Sequence, residues 1–178
     1  MIRINALPLL AYKVGPNLFD LSSQMHNVSM RDQMHRAVAL AEALVEGKQF
    51  TQPNSSNQVL IVGAGVAGVS AGIVLARHGA EVLIIDSSPD APFALQRKVT
   101  KRYVGPYMYE WPLEVFNSQR LPADPHTALA EWTTSYAPPL GFVDADPAQP
   151  AVVAADWDAQ LWQAVQASGG KLCVQRPV

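Results

Sequence analysis

The chain has 178 residues, of which 49% are hydrophobic and 16% are charged, and its net charge is −2. This composition excludes a disordered chain and supplies enough apolar residues for one domain with a buried core. The charge balance gives no reason to expect nucleic acid as a partner, and the single cysteine, Cys173, excludes an internal disulfide and favours a reducing, cytoplasmic location.

The first 57 residues are predicted to form an extension before the main domain. Pro8 interrupts the apolar run at the start of the chain, which argues against a signal peptide. The aliphatic residues of this run predict a short strand or a packing tail: Ile2, Ile4, Leu7, Leu9 and Leu10. The polar residues from Thr51 to Asn57 predict a linker. We therefore divide the chain into an extension, residues 1–57, and a main domain, residues 58–178.

Within the extension, Met30–Glu46 carries apolar residues at helical spacing and predicts an amphipathic helix. Ser29 and Asp32 resemble a capping box, and Gly47 marks the end of the helix. Such a helix could bind a partner or act as a lid. The favoured interpretation is that it packs on its own domain.

The stretch from Val59 to Asp86 has the pattern of a nucleotide-binding unit. Val59–Val62 fits a buried strand and is followed by three glycines spaced G-x-G-x-x-G. A helical apolar run then ends at Gly79, and Val82–Ile85 fits a second buried strand that closes on Asp86. Strand, glycine turn, helix, strand and acid together predict a dinucleotide-binding βαβ unit, and hence an α/β fold with a Rossmann-like parallel sheet.

Each glycine of the motif has its own predicted role. Gly63 allows a sharp exit from the strand, where a side chain would clash. Gly65 lets the backbone come close to a pyrophosphate. Gly68 lets the helix lie against the first strand, and Gly72 extends this small-residue face.

The residues around these glycines complete a predicted cofactor site. The helix begins with unpaired N–H groups and the positive end of its dipole, both of which favour phosphates. Asp86 lies close to the usual spacing of roughly 20 residues for an acid that accepts hydrogen bonds from ribose hydroxyls. The predicted cofactor-binding residues are therefore Gly63, Gly65, Val66, Ala67, Gly68, Asp86 and Ser87.

Two alternatives compete with this interpretation. The stretch Val59–Ala76 has no charged residue and is long enough for a membrane helix, and Gly68 and Gly72 form a G-x-x-x-G pair. However, its glycines are dense for a spanning helix, and a membrane helix would not explain the strand and acid after Gly79. A methyltransferase glycine loop, which also has an acid after its second strand, is the other alternative.

The sequence GAGVAG and the residues that follow it resemble the N-terminal motif of FAD/NAD(P)-binding oxidoreductases, the flavoproteins with two dinucleotide-binding domains. The similarity covers residues 58–86 and includes Gly72, Leu75, Gly79, Val82 and Asp86. It implies FAD as the cofactor, with NAD as the second choice, because the family more often has Glu in place of Asp86. The chain has neither the Gly-Gly-Arg typical of amine oxidases nor the Cys-x-x-x-x-Cys of disulfide reductases, which makes those branches less favoured.

Beyond Asp86, Ser87–Pro92 predicts a turn and Gln96–Arg102 is basic. Aromatic residues follow the basic run: Tyr103, Tyr107, Tyr109 and Trp111. Together they could form a phosphate clamp and a stacking wall beside a flavin. The favoured alternative is a solvated loop whose aromatic residues cover the edge of the sheet.

The rest of the chain predicts two helices and a strand. The first helix is His126–Tyr136, and Pro138–Pro150 is predicted to be a loop. The second helix is Asp156–Ser168, with Asp156 as its N-cap. Lys171–Gln175 then fits the third strand of a half-sheet with strand order 3-2-1. By the family resemblance, the backbone of this strand near Val174 contacts adenine.

These features predict an FAD-dependent oxidoreductase, or the FAD-binding portion of one, that acts on a small molecule. Because Val178 ends the chain after a half-sheet, we expect a missing C-terminal domain or a partner subunit. The alternative is a non-catalytic nucleotide-binding or interaction module. No residue can be named as a catalytic acid or base, and no metal site is predicted, since His26 and His35 are interpreted as surface or capping residues. Neither nucleic acid nor a membrane is an expected partner.

Overall fold

The computed structural model describes residues 7–22, 30–47, 57–104, 139–141 and 148–175. Several predicted features lie outside these ranges and stay predictions: Ile2, Ile4, His26, the capping residue Ser29, linker residues 51–56, the aromatic residues Tyr107, Tyr109 and Trp111, and the helix His126–Tyr136.

The N-terminal extension begins with a short helix and a hairpin. Helix α1 (Leu7–Tyr12) leads directly into β1 (Lys13–Gly15), which pairs antiparallel with β2 (Leu18–Phe19). Asn17 turns the chain between these strands with a φ of 56°, a left-handed conformation that asparagine tolerates better than most residues. Of the aliphatic residues predicted as a strand or a packing tail, Leu7, Leu9 and Leu10 are therefore helical, and Leu9 packs against the core.

Helix α2 (Met30–Glu46) has the predicted bounds and ends where the Gly47 N–H donates to the Ala43 carbonyl at 2.9 Å. Its buried face packs against α3 (Val66–Arg77) and consists of small and aliphatic residues: Met34, Ala37, Val38, Leu40, Ala41, Ala43 and Leu44. The interpretation of α2 as a helix packed on its own domain is thus confirmed. His35 is buried on α2, so its prediction as a surface or capping residue is wrong. The boundary at residue 57 stays a prediction.

In the described residues, three parallel strands form the central sheet. They are β3 (Gln58–Val62), β4 (Glu81–Ile85) and β5 (Leu172–Gln175), and β4 lies between the other two. The register pairs Val59 with Val82 and Leu83 with Cys173. The predicted α/β fold and the 3-2-1 strand order are therefore confirmed. In a parallel sheet the carboxyl ends of all strands meet at one edge, so the segments that follow Val62 and Ile85 are neighbours.

The two faces of the sheet differ in burial. Val82, Ile84 and Leu172 are buried on the face that α3 covers. On the opposite face, Leu60 is 60% exposed and Val62 is 79% exposed.

The uncharged stretch Val59–Ala76, for which a membrane helix was the alternative, divides into strand β3 and helix α3 (Val66–Arg77). No helix in the described part of the chain is long and apolar enough to cross a membrane.

Two more helices complete the described fold. Helix α4 (Ala94–Arg97) is a single turn, and α5 (Pro150–Ala167) packs against it. The predicted N-cap of α5 is wrong: the cap is Gln149, and Asp156 lies inside the helix. Proline suits the first helical position because its φ is fixed at a helical value and its missing N–H is not needed there. The predicted loop therefore ends at Gln149, one residue earlier than proposed.

Aromatic packing joins α4 and α5 to the remaining core. Phe93 and Trp157 are both fully buried, and their ring centroids are 5.7 Å apart at an interplanar angle of 59°. A tilted pair of this kind contributes about 0.5–1.5 kcal/mol beyond the burial of its area. One continuous cluster of buried residues includes this pair, the inner faces of α2 and α3, and the buried face of the sheet. The segment that follows Asp86 is thus anchored in the same core as the glycine loop.

Candidate functional site

The glycine loop begins as a continuation of the sheet. The Gly63 N–H donates to the Ile85 carbonyl at 2.7 Å, so pairing between β3 and β4 extends one residue beyond Val62. Gly63 has a φ of 110°, a conformation that L-residues rarely adopt, while a Cβ at this position would have no atom within 4 Å. Glycine is required here by backbone conformation. The predicted side-chain clash is wrong.

Gly68 is required by packing. A Cβ at Gly68 would collide with the carbonyl oxygen of Gly63 and lie 3.1 Å from Cγ2 of Ile61 on β3. One turn later, a Cβ at Gly72 would lie 2.7 Å from Cδ1 of Ile84 on β4. The prediction that these glycines bring α3 close to the sheet is confirmed, and the contact reaches two strands.

Gly65 is required neither by conformation nor by packing. It is exposed, its φ is −78° and its ψ is −176°, which is extended backbone that any residue adopts. A Cβ at this position would meet nothing within 4 Å. The protein itself therefore leaves open the space that a side chain would fill, in front of the first turn of α3.

The first turn of α3 presents N–H groups to this space. Gly65 is the N-cap and makes no side-chain capping bond, and no acidic residue lies in the first turn. The N–H groups at the start of a helix have no partner within the helix, and the Val69 N–H is the one that reaches back to the Gly65 carbonyl, at 3.0 Å. The helix dipole adds a partial positive charge at the same end. Val66 and Ala67 therefore lie where an anion is favoured.

Asp86 lies beside the glycine loop, at the carboxyl end of β4. One carboxylate oxygen accepts the Ala64 N–H at 2.7 Å, and the other accepts the Ser88 N–H at 2.7 Å. The side chain is half-buried. The structure therefore brings Asp86 and the three glycines of the motif together at one edge of the sheet. Ser87 is exposed and follows directly.

Two backbone groups near Asp86 were not anticipated from the sequence. The Ser88 N–H bond is an Asx turn, in which an aspartate bonds the backbone two residues further on, and the Asp-Ser-Ser sequence is a usable signal for it. The Ala64 N–H bond carries no such signal, because it joins the ends of two strands. Both bonds fix the carboxylate and leave each of its oxygens a further site to accept a hydrogen bond.

The Ala64 carbonyl is also held, from the opposite side. It accepts the N–H of Phe93, at 2.9 Å. Phe93 itself has a left-handed φ of 60° and is fully buried. The turn that contains Phe93 is in turn bound by Arg97, whose Nε donates to the Pro92 carbonyl at 2.8 Å. Hence the segment predicted as a simple turn supports the glycine loop.

The basic run, for which a phosphate clamp was the less favoured interpretation, makes ion pairs at two of its residues, while Lys101 and Arg102 are exposed. The Arg97 guanidinium lies 2.9 Å from Asp158 on α5, and the Lys98 ammonium lies 2.9 Å from Asp90. Tyr103 is 70% exposed. These contacts favour the interpretation of a solvated segment, at least up to Val104.

Comparison with known protein families gives a match to the family described as FAD binding domain, over residues 56–96. The match spans β3, the glycine loop, α3, β4 and Asp86, and covers less than half of the chain. A search of curated proteins found no match, and neither did a search of solved structures. The fold and the site thus define a Rossmann-like domain that contains an FAD-binding segment.

FAD is the cofactor that this match indicates, in agreement with the first choice from the sequence. The residues fit the cofactor, because the open space at Gly65 and the uncapped helix lie beside a carboxylate suited to a ribose. A match to an FAD-binding family also disfavours the methyltransferase alternative.

Proposed function

We propose that this chain is the FAD-binding part of a flavin-dependent oxidoreductase related to the flavoproteins with two dinucleotide-binding domains. One observation carries the proposal: Gly65 is a glycine that the protein needs for neither its backbone conformation nor its packing. A ligand that must come close to the backbone would explain why residue 65 is a glycine. The position of Gly65 at the N-terminus of α3 favours a pyrophosphate as that ligand.

In this proposal the chain holds the ADP half of the cofactor. The N–H groups of Val66 and Ala67 and the dipole of α3 face the pyrophosphate, and Gly63 and Gly68 maintain the loop. Asp86 accepts hydrogen bonds from the ribose hydroxyls with the acceptor sites that Ala64 and Ser88 leave open. The backbone of β5 near Val174 lines the adenine site.

The flavin would supply the electron transfer. The described residues would bind and orient the cofactor, and none of them is assigned a proton-transfer role. Flavoproteins of the class that the motif resembles carry the substrate site on further domains. We propose that a C-terminal domain or a partner subunit contributes this site for a small-molecule substrate.

The same residues would select among adenine cofactors. A 2′-phosphate would lie at contact distance from the Asp86 carboxylate, and the two negative charges would repel each other. The first basic residues that follow Asp86 in sequence, Arg97 and Lys98, are paired with Asp158 and Asp90. We therefore propose FAD first, NAD second and weak binding of NADP.

Calorimetric titration of the purified chain with ADP tests the proposal without a complete enzyme. Binding of ADP, together with weaker binding of 2′-phospho-ADP, is the expected result. Equal affinities, or tighter binding of the phosphorylated ligand, would show that Asp86 does not face the ribose. A chain that does not bind ADP at all would overturn the nucleotide site itself.

The visible spectrum of the protein after incubation with FAD and gel filtration separates the two functional classes. Retained flavin absorption that bleaches with dithionite is expected of a flavoprotein. ADP binding without retention of flavin would favour the alternative from the sequence, a non-catalytic nucleotide-binding module.

A further inference from the structure

Ala64, which immediately precedes Gly65, is held through both of the peptide groups that flank it. Its N–H donates to Asp86 at 2.7 Å, and its carbonyl accepts the Phe93 N–H at 2.9 Å. The carbonyl lies in the peptide group between Ala64 and Gly65, so its bond to Phe93 sets the direction in which the chain enters Gly65 and the first turn of α3. Whatever fixes Phe93 therefore also fixes the backbone that faces the cofactor.

Arg97 ties the Phe93 turn to α5, in addition to the packing of the Phe93 ring on Trp157. Its Nε donates to the Pro92 carbonyl at 2.8 Å, and its Nη2 lies 2.9 Å from Oδ2 of Asp158. Its backbone N–H also donates to the Phe93 carbonyl, at 3.0 Å. A planar guanidinium makes the two side-chain contacts at once in a fixed geometry, which a lysine does not reproduce.

The position of the Asp158 carboxylate depends on its ion pair with Arg97. Its second oxygen, Oδ1, is buried and accepts no hydrogen bond from the part of the chain that the structure describes. A half-buried carboxylate with one oxygen unsatisfied is held in place by the charge of its partner. Arg97 and Asp158 therefore connect α5 with the Phe93 turn as one unit.

We infer that Arg97 is a positioning residue for the dinucleotide site, an inference that rests on the proposed function. It holds the Pro92–Phe93 turn against α5, and this turn holds the Ala64 carbonyl and so the approach to Gly65. Arg97 acts through protein groups and does not contact phosphate. Functional sites tolerate displacements of only about 0.5 Å, so a released turn weakens nucleotide binding without unfolding the domain.

The test compares Arg97→Gln with Lys98→Gln, which removes the same charge from the neighbouring residue, where the ion pair to Asp90 is exposed. Affinity for ADP is measured by calorimetry at a temperature at which circular dichroism shows each variant to be folded. We expect Arg97→Gln to weaken ADP binding roughly tenfold and Lys98→Gln to leave it unchanged; tenfold corresponds to about 1.4 kcal/mol.

Asp158→Asn separates positioning from direct contact with phosphate. If Arg97 positions the loop, Asp158→Asn also weakens ADP binding, and the double variant is no weaker than Arg97→Gln alone, because both residues act as one unit. Arg97→Lys is expected to restore less than the full affinity. If Asp158→Asn leaves ADP binding unchanged or tightens it while Arg97→Gln weakens it, Arg97 is a phosphate ligand and the inference is overturned.

A spectroscopic measurement without nucleotide completes the test. The amide resonance of Gly65 in a ¹H–¹⁵N spectrum is expected to move in Arg97→Gln and in Asp158→Asn, and to stay in place in Lys98→Gln. An unmoved Gly65 resonance, or parental ADP affinity in Arg97→Gln, would overturn the inference. If the parent chain does not bind ADP, the proposed function fails, whereas the Gly65 resonance still reports on the link from Arg97 to the loop.

Discussion

Gly65 and Gly68 belong to one motif, yet the structure places them in opposite surroundings. At Gly68 a single added carbon atom would collide with the Gly63 carbonyl oxygen, whereas at Gly65 it would meet nothing within 4 Å. Glycine at position 68 thus serves the fold, whereas glycine at position 65 is explained, in the proposed function, by a ligand. Two glycines of one fingerprint can therefore meet different requirements, one of folding and one of binding, and substitutions at the two positions separate them.

The largest expected effect is on stability, from Gly68→Ala. Backbone atoms of Gly63 cannot rotate away as a side chain can, so α3 must move from β3. We expect the free energy of unfolding to fall by about 3 kcal/mol, at the upper end of what overpacking usually costs. This corresponds to a decrease in Tm of roughly 6–12 °C in a thermal melt. Gly65→Ala is the matched control; an equal decrease in that variant would contradict the contrast.

The second expected effect is on binding, from Gly65→Val. The valine side chain fits the extended backbone at this position but occupies the space in front of the helix N-terminus. We expect ADP affinity to fall about a hundredfold, which is about 2.8 kcal/mol at 1.4 kcal/mol per tenfold change. The free energy of unfolding should change by no more than about 1 kcal/mol, the scale of a lost N-cap preference. If the variant binds ADP as tightly as the parent, the phosphate binds at a position other than Gly65.

A smaller effect is expected from Asp86→Asn, which keeps the shape of the side chain and removes its charge. The carboxylate accepts backbone N–H groups from both Ala64 and Ser88, and charge-assisted bonds of this kind are stronger than neutral ones. We expect the free energy of ADP binding to become less favourable by roughly 1 kcal/mol. The ratio of the affinity for ADP to that for 2′-phospho-ADP should also decrease. Calorimetric titration with both ligands gives the ratio, and an unchanged ratio would show that the carboxylate does not meet the ribose.

The smallest effect is expected from Gly72→Ala. Its added carbon would meet the terminal methyl of Ile84, which can rotate aside, and alanine favours a helix over glycine by about 1 kcal/mol. The two contributions nearly cancel, so Tm should change by only a few degrees. A decrease in Tm as large as that expected for Gly68→Ala would mean that the packing between α3 and β4 cannot adjust to the added carbon atom.

The sequence predicted the elements that local pattern determines. The apolar spacing in Met30–Glu46 and the glycine after it were sufficient for both ends of α2. The start of α5 was missed because Pro150 and the alanines after it show no clear periodicity, while Asp156 offered a misleading cap. The sequence correctly marked Gly63 as part of the motif but predicted a side-chain clash as the reason for glycine. The actual reason is its positive φ, which depends on the path of the chain and not on the neighbouring residues in sequence.

The support behind the site could not be predicted in the same way. The bond between Phe93 and Ala64, and the ion pair between Arg97 and Asp158, join segments that are distant in sequence. No motif marks such contacts, because either partner is an ordinary residue until the fold brings the two together. The Asx turn at Asp86 is the exception, since both of its partners lie within three residues.

The bond from the Gly63 amide to the Ile85 carbonyl, at 2.7 Å, predicts that amide hydrogen exchange differs from residue to residue along the loop. An amide locked into a sheet ladder exchanges its hydrogen only when the strand opens, whereas the first amides of an uncapped helix exchange with solvent directly. The Gly63 amide therefore belongs with the slowly exchanging core. The Val66 and Ala67 amides are expected to exchange more rapidly, and to be protected if an anion binds there as proposed. Exchange at Val66 and Ala67 is thus expected to respond to occupancy of the site more strongly than exchange at Gly63, three residues before Val66.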